Sequence, residues 1–449
     1  MKNKSTLSRR NFLNRSAVAG TVGVIAGPSL LSSCAQNEVK DVKYDLCSFL
    51  DQAPDGPELK AGLIGCGGRG RGAMQNFLDA GPNLKIVAFA DVIDERLVEA
   101  NNVLKKKTGE VVPDEKCFLG FDAYEKLIES GVDIVLIATP PHFRPIHFEA
   151  AVQARKHVFM EKPVAVDPQG ARSIIATGEK AKAMELSVVA GTQRRHQREY
   201  VDIYKKVAGG MIGTLTGGNV YWNGGKLWHK DPNPAWNEME YMIRNWVNWI
   251  WLSGDHIVEQ HVHNLDVAHW FFGAHPVKAL GFGSRQRRVT GDQFDNFSID
   301  FVFEDGRHLH SMCRQINGTD GGVYERLQGQ NGSTNCKTSI VDLDGNSLYE
   351  HEYPLDAEGK KVGYKPYVQE HIDLVNAIRT NTPINEAENV GTSTMMAIMG
   401  RISSYTGKET TWDEMMNSDL KLGPKVYAMG PVDVDKAVPI PGDAWNPKG

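Results

Sequence analysis

Disulfide chemistry is the first thing this chain lacks. Its six cysteines, at 34, 47, 66, 117, 313 and 336, include no CxxC pair and follow no regular spacing. Neither a disulfide framework nor a cysteine-ligated metal is expected from them. No block of lysine and arginine occurs, and the net charge is −5, so no polyanion-binding surface is signalled and nucleic acid is excluded as a partner. Long hydrophobic runs are also missing. The most apolar stretch, Ala17 to Leu31, is short and rich in glycine and serine, which disfavours a permanent membrane span. There is no internal repeat. What remains is ordinary for a globular enzyme, with 41% hydrophobic and 23% charged residues. A length of 449 residues is too great for one simple core and implies two domains.

The first 35 residues read as an address rather than as fold. Ser8-Arg9-Arg10-Asn11-Phe12-Leu13 precedes the apolar stretch and matches a twin-arginine export pattern. Leu31-Ser32-Ser33-Cys34 then resembles a bacterial lipobox, with Cys34 as the lipidated residue. The polar run 36–57 reads as a tether. The expected protein is a periplasmic lipoprotein whose only tie to the membrane is the anchor at Cys34.

Beyond the tether an apolar strand runs into Gly65-x-Gly67-x-x-Gly70 and a helix start. A second strand, Leu84 to Asp91, ends in an acid 21 residues after Gly70. Glycine-rich turn, helix and acid at that distance form a dinucleotide fingerprint. Gly65 permits the tight turn, Gly67 lets backbone approach a pyrophosphate, and Gly70 lets helix and strand pack. The helix N-terminus offers amides to the phosphates. Asp91 would accept hydrogen bonds from the adenosine ribose, and its charge would repel a 2′-phosphate, so NAD is expected over NADP. Helices and apolar strands go on alternating to Gly191, which predicts an α/β fold with an N-terminal Rossmann domain over 58–191. Pro140-Pro141-His142 breaks the chain at the C-terminal end of a buried strand, where ligands sit in such sheets.

After Gly191 the period changes. Strands with alternating or aromatic character are expected at 213–222, 277–284, 296–303, 306–314 and 324–330, with helices at 366–380 and 390–405. They predict an α+β domain over 192–422 on a mostly antiparallel sheet, followed by a proline-rich tail, 423–449.

The chemistry concentrates in Ser253 to Trp270. Read as one helix, His256, Glu259, His263, Asp266 and Trp270 fall within an arc of about 80°. Imidazoles and carboxylates are costly to bury on a helix face unless paired or used. A Glu with a His four residues on can hold and tune a proton-transfer imidazole. Three of these residues could also be read as metal ligands, but nothing else in the chain has ligand spacing, and no metal is expected.

Three motifs together carry a resemblance: Ala138-Thr139-Pro140, the turn Glu161-Lys162-Pro163, and Glu259-x-His261-x-His263-x-x-Asp266. From about Leu59 to Thr411 the chain resembles the glucose–fructose oxidoreductase/inositol dehydrogenase (Gfo/Idh/MocA) family. Two departures, Glu at 259 for the usual Asp and His at 261 for Gly, bear on substrate identity. The resemblance implies that Lys162 lies at the nicotinamide and hydrogen-bonds a reacting hydroxyl, that His263 accepts its proton, and that Glu259 orients His263 or holds a neighbouring hydroxyl. It also implies that the second sheet closes over the nicotinamide and serves in a homo-oligomer, a dimer or tetramer. The expected cofactor contacts are Gly65, Gly67, Gly68, Arg69, Gly70, Asp91, Thr139, Pro140, His142, Glu161, Lys162 and Gln193.

Seven of the nine tryptophans fall between 222 and 270. Indole faces with Arg and Asn donors between them suit carbohydrate, and they equally suit a core or an oligomer interface. The expected substrate contacts are Arg195, Tyr241, Arg244, Trp246 and His256, with Lys162, Glu259 and His263. An exported enzyme cannot easily replenish NAD, so the redox cycle should close on the protein with the cofactor held. The expected activity is oxidation of a glycoside ring hydroxyl, at the 3-position. A complete NAD-dependent glycosidase is the alternative, and a sugar-binding lipoprotein without redox chemistry is the competing class.

Overall fold

A computed structural model describes residues 39–445, so the export signal and Cys34 lie outside the described residues. Six parallel strands build the first sheet. They are β1 (Leu59–Ile64), β2 (Leu84–Asp91), β3 (Cys117–Leu119), β4 (Ile134–Ile137), β5 (His157–Met160) and β6 (Val188–Ala190), in spatial order β3-β2-β1-β4-β5-β6. The crossover helices are α1 (Gly68–Asp79), α2 (Asp94–Thr108), α3 (Ala123–Glu129), α4 (Arg144–Gln153) and α5 (Pro168–Ala183). Strand order reverses between β1 and β4, which opens a crevice at the C-terminal strand ends. β4 and the last residues of β1 and β2 are buried without alternation, as expected for a sheet covered on both faces.

The chain leaves this sheet through α6 (Arg198–Ala208) into a nine-stranded sheet. Its strands are β7 (Leu215–Gly224), β8 (Lys278–Ser284), β9 (Asn296–Val302), β10 (His308–Gln315), β11 (Gly322–Gly329), β12 (Gly332–Thr334), β13 (Ser339–Asp342), β14 (Ser347–Glu350) and the short β15 (Thr410–Thr411). The order is β14-β13-β12-β11-β7-β10-β9-β8-β15, antiparallel except for the parallel β10–β7 pair. This is the expected α/β arrangement, a Rossmann-type sheet followed by a mostly antiparallel one. The sequence patterns missed β12 to β14, whose short polar strands carry little alternation.

Between β7 and β8 lie α7 (Glu238–Arg244), α8 (His256–Glu259) and α9 (Val262–Phe272). The stretch 256–272 is therefore not one helix. The amides of Gln260 and His261 both donate to His256 O, and His263 N donates to Gln260 O, a local irregularity that re-aims the second half. The cause is polar anchoring. The His256 ring is fixed by Gln315 Nε2, at 2.9 Å from Nδ1, and by the Trp222 carbonyl, 3.2 Å from Nε2. His261 Nε2 lies 2.7 Å from Ser311 Oγ.

Two late helices join the halves. α10 (Pro366–Arg379) returns to the first sheet, where Ile372, Leu374 and Val375 pack with Leu63, Phe77 and Phe159. Ile384 and Glu386 bond to the backbone of Val188 on edge strand β6. α11 (Ala387–Thr406) packs its buried methionines under the second sheet.

Candidate active site

One cleft of about 600 Å³ runs along the C-terminal ends of the first sheet and under the second domain. The glycine turn forms its floor. Gly65 has φ +90°, and a Cβ there would lie 2.7 Å from Ala138 C and Thr139 N. At Gly70 a Cβ would lie 1.9 Å from Gly65 O, whereas at Gly67 and Gly68 it would meet nothing within 4 Å. The first two glycines close the turn; the other two leave its open side free for a ligand. No side chain caps the N-terminus of α1, and its first turn carries no acid, so its amides are free to meet an anion.

Asp91 closes β2 and is 7% exposed. Its oxygens accept from Cys66 N at 2.7 Å and Ile93 N at 3.0 Å, and Arg96 approaches to 3.8 Å. Burial raises its pKa against the opposing pull of Arg96 and these amides. The donor set fits NAD: a turn that lets backbone approach, unpaired helix amides, and an acid where ribose hydroxyls would lie.

At the other end the Glu161-Lys162-Pro163 turn enters the cleft. Arg144, buried in the first turn of α4, gives hydrogen bonds to Thr139 O at 2.8 Å, Glu161 O at 2.8 Å and Pro163 O at 2.5 Å. It knits the two motif turns together. Burial pushes its pKa down to about 10. Sequence reasoning passed over Arg144; an arginine opening a helix otherwise buried against the sheet was the available signal. Arg69 pairs with Glu161 and lies 4.8 Å over the Tyr367 ring of α10, so Tyr367 joins the wall, again unforeseen.

Lys162 donates to the Glu259 carbonyl at 2.6 Å and lies 3.6 Å from its carboxylate. Burial lowers the pKa of its ammonium, opposed by Glu259 and Glu161. His263, 7% exposed, lines the same cleft and stacks on Trp222 at 5.7 Å with an 18° interplanar angle. Among the described residues no group hydrogen-bonds its ring. Burial holds its pKa well below the ordinary 6.5, with Lys162, Arg194 and Arg69 adding to the effect. The imidazole is thus a neutral acceptor at neutral pH, beside a lysine that can hold a hydroxyl. Glu259 faces Lys162; the expected contact that would orient His263 is not made.

The structure brings together in the cleft Gly65, Gly67, Gly68, Arg69, Gly70, Asp91, Thr139, Pro140, Glu161, Lys162, Arg244, Trp246, Glu259 and His263. Five expected residues lie elsewhere. His142 is buried among Phe143, Trp251 and Tyr427, with Nε2 2.8 Å from the Tyr427 hydroxyl. Gln193 opens a short 3-10 turn two residues beyond the cleft-lining Gly191. Arg195 forms a buried bidentate pair with Asp266 at 2.9 to 3.1 Å, over the Trp270 ring. Tyr241 lies 3.2 Å from His229 and packs on Trp249. His256 is held by Gln315 and Trp222 behind the wall. Its turned ring also means that His256, Glu259 and His263 do not converge on a point. Of the tryptophans, Trp228 and Trp246 line the cleft, whereas Trp251 and Trp270 belong to the core.

Residues 59–189 match the GFO_IDH_MocA model, an oxidoreductase family with an NAD-binding Rossmann fold. Among curated proteins, a scyllo-inositol 2-dehydrogenase (NAD(+)) of Bacillus subtilis is 23% identical over 283 residues, which are 60% of this chain and 73% of that one. The Glycosyl hydrolase family 109 protein 1 of Bacteroides fragilis is 31% identical over 168 residues, 37% of this chain and 33% of that one. Among solved structures, the apo scyllo-inositol dehydrogenase of Lactobacillus casei superposes with a TM-score of 0.58 at 20% identity, over 79% of this chain and 98% of that one. The chain is an NAD-binding oxidoreductase whose dinucleotide domain is of the Gfo/Idh/MocA type.

Proposed function

We propose that this NAD-binding oxidoreductase oxidises a ring hydroxyl of a sugar or glycoside, at the 3-position, and keeps its cofactor bound between half-reactions. The observation that carries the proposal is that Lys162 and His263, whose ring has no hydrogen-bond partner among the described residues, line the same cleft, with Lys162 following a strand three places along the sheet from the one that ends at Asp91. NAD, when bound, supplies the hydride acceptor. Gly67, Gly68 and the first amides of α1 would hold its pyrophosphate, and Asp91 its ribose. Lys162 would hydrogen-bond the substrate oxygen and stabilise negative charge building there. His263 Nε2 or Nδ1 would take the hydroxyl proton as the C–H hydride leaves, so the alcohol becomes a ketone with loss of two electrons and two protons in all, one proton travelling within the hydride. Glu259 holds Lys162 in place. The inositol dehydrogenase likeness supports a polyhydroxylated ring as substrate.

A second reading, redox-assisted glycoside cleavage, is favoured by the likeness to the glycosyl hydrolase family 109 protein. A 3-ketone acidifies the adjacent C2–H; its removal expels the group at C1, water adds in its place, and the stored hydride returns to C3. No external oxidant is consumed. The first reading predicts a 3-keto product with the glycosidic bond intact; only the second predicts that turnover in D2O places deuterium at C2 of the sugar and releases the aglycone. A pure binding protein forms neither product, and absence of both ketone and aglycone across a panel of glycosides with the NAD-loaded protein would contradict both readings.

The twin-arginine pattern and Cys34 support export of the folded, cofactor-loaded protein and anchoring as a periplasmic lipoprotein. For assembly, the second sheet leaves one face open. Phe282, Ser298, Met312, Tyr221 and Tyr324 align across five neighbouring strands there, with Phe282 71% exposed. We take this row as the contact of a homo-oligomer.

A further inference from the structure

The segment between β7 and α8, which the sequence suggests for sugar binding, meets the other end of the cleft. Trp228, Lys230, Ile243, Arg244 and Trp246 share that cleft with Asp91, Val92 and Arg96. Arg244 ends α7 and pairs with Glu95 in the first turn of α2, four residues after Asp91. The same guanidinium donates to Glu240 at 2.8 Å and lies 4.7 Å over the Trp236 ring. Buried Asn245 clasps the backbone of Lys230, accepting from its N at 2.7 Å and donating to its O at 3.1 Å. Lys230 lines the cleft, and among the described residues no carboxylate pairs with its side chain.

This segment is braced from behind by the C-terminal tail. Glu238, opening α7, accepts from Val432 N at 2.8 Å and pairs with Lys436. Met239 N donates to Gly430 O at 3.0 Å, and Asn237 Oδ1, the cap of α7, also accepts from Gly430 N at 3.0 Å. Tyr427 reaches His142 in the loop after β4. The tail thus ties α7 to the first domain from one side while Arg244 ties it from the other.

We propose that residues 228–246 form a second wall around the adenosine half of bound NAD, with the tail 423–445 as its brace, and that this wall retains the cofactor. The ion pair to Glu95 fixes the half, because Asp91 and the start of α2 stand at the ribose of adenosine, whereas Lys162 and His263 stand at the reacting end. Lys230 brings the uncommitted cation to an anionic ligand, and Trp228 and Trp246 bring apolar area. A nucleotide enclosed on both sides leaves only when α7 and its brace open, which slows dissociation more than association. The retention clause rests on the captive-cofactor reading above; the wall itself does not.

The test uses the full-length mature protein and its Lys230→Met, Arg244→Ala and Glu238→Gln variants. NAD(H) content is measured after exhaustive gel filtration, and affinities for NAD and for ADP are measured on protein stripped of nucleotide. Lys230→Met and Arg244→Ala should weaken NAD and ADP alike, by roughly ten- to a hundred-fold, the weight of one or two charge-assisted contacts. Glu238→Gln should speed NAD release without touching the cleft. Lys230 is exposed, so its variant keeps the test open if Arg244→Ala does not fold. Unchanged affinity in Lys230→Met, or a loss for NAD without one for ADP, overturns the wall. A wild type that emerges free of nucleotide overturns retention alone, and the ADP affinities still decide the wall.

Discussion

Lys162 and His263 come from different domains, and each is made useful by what burial does to it. Replacing either, by Lys162→Met or His263→Gln, should lower kcat by about 10²- to 10⁴-fold, the usual weight of general acid–base assistance. Thermal stability and bound NAD(H) should stay near wild type, as measured by melting and by nucleotide release. Burial disfavours the charged imidazole, so the His263 pKa lies well below 6.5 and the ring is a proton acceptor at neutral pH. The acid limb of kcat/KM should therefore fall well below 6.5. A limb at or above 6.5 would assign the base elsewhere. At this scale the sequence was informative about motif residues and misleading about their neighbours. Glu259 and His263 reach the cleft, but His256 and Asp266, on the same helical arc, do not. A regular helix cannot foresee the break at Gln260–His261, which depends on Gln315 and Ser311 from a distant strand. Arg195 shows the same limit, since its partner Asp266 is 71 residues away.

The glycine turn and the edge of β6 make predictions for whole elements. At Gly70 a methyl group would sit 1.9 Å from Gly65 O, backbone that cannot swing aside. Gly70→Ala should displace the turn, destabilise the domain by about 1–3 kcal/mol and lose NAD affinity, checked by melting and nucleotide titration. Intact NAD binding in that variant would mean the turn is not the pyrophosphate cradle. His196, in the turn after β6, is buried between Asp373 of α10, at 2.7 Å, and Glu386 beside α11, at 3.1 Å. Burial alone would lower its pKa, but the carboxylates of Glu386 and Asp373 outweigh that and hold it well above 6.5. A raised folded-state pKa stabilises most below the unfolded value and is lost as pH climbs through the folded one. The stability gap between wild type and His196→Gln should be widest below pH 6 and close steadily above it; a gap independent of pH would mean that the ring is neutral. The Rossmann alternation was legible because β1, β4 and their glycines follow local rules. The return of α10 to the first sheet was not, because that helix is amphipathic toward any partner.

Across the whole molecule, the first sheet carries the glycine turn, Asp91 and Lys162, the helix packed on the second sheet brings His263, and the late helices and tail bind the two together. The sequence indicated both sheets. It read the tail 423–449 as lacking a period and wrapping the surface; in the structure Glu238, His142 and Arg401 meet its described residues. Polar caps and single aromatic contacts of that kind leave no periodic trace. The tryptophan-rich segment suited a sugar surface, a core or an interface equally in the sequence; in the structure Trp228 and Trp246 line the cleft and Trp251 and Trp270 join the core. Bound NAD is expected to take hydride from a ring hydroxyl beside Lys162 and His263 without leaving the protein. The most direct test is to mix purified protein, with no nucleotide added, with inositols and glycosides and follow the nicotinamide absorbance through a single turnover. The account predicts rapid reduction of protein-bound NAD, abolished in Lys162→Met, with the reduced cofactor remaining on the protein. Stoichiometric bound NAD that no polyhydroxylated ring reduces would contradict it.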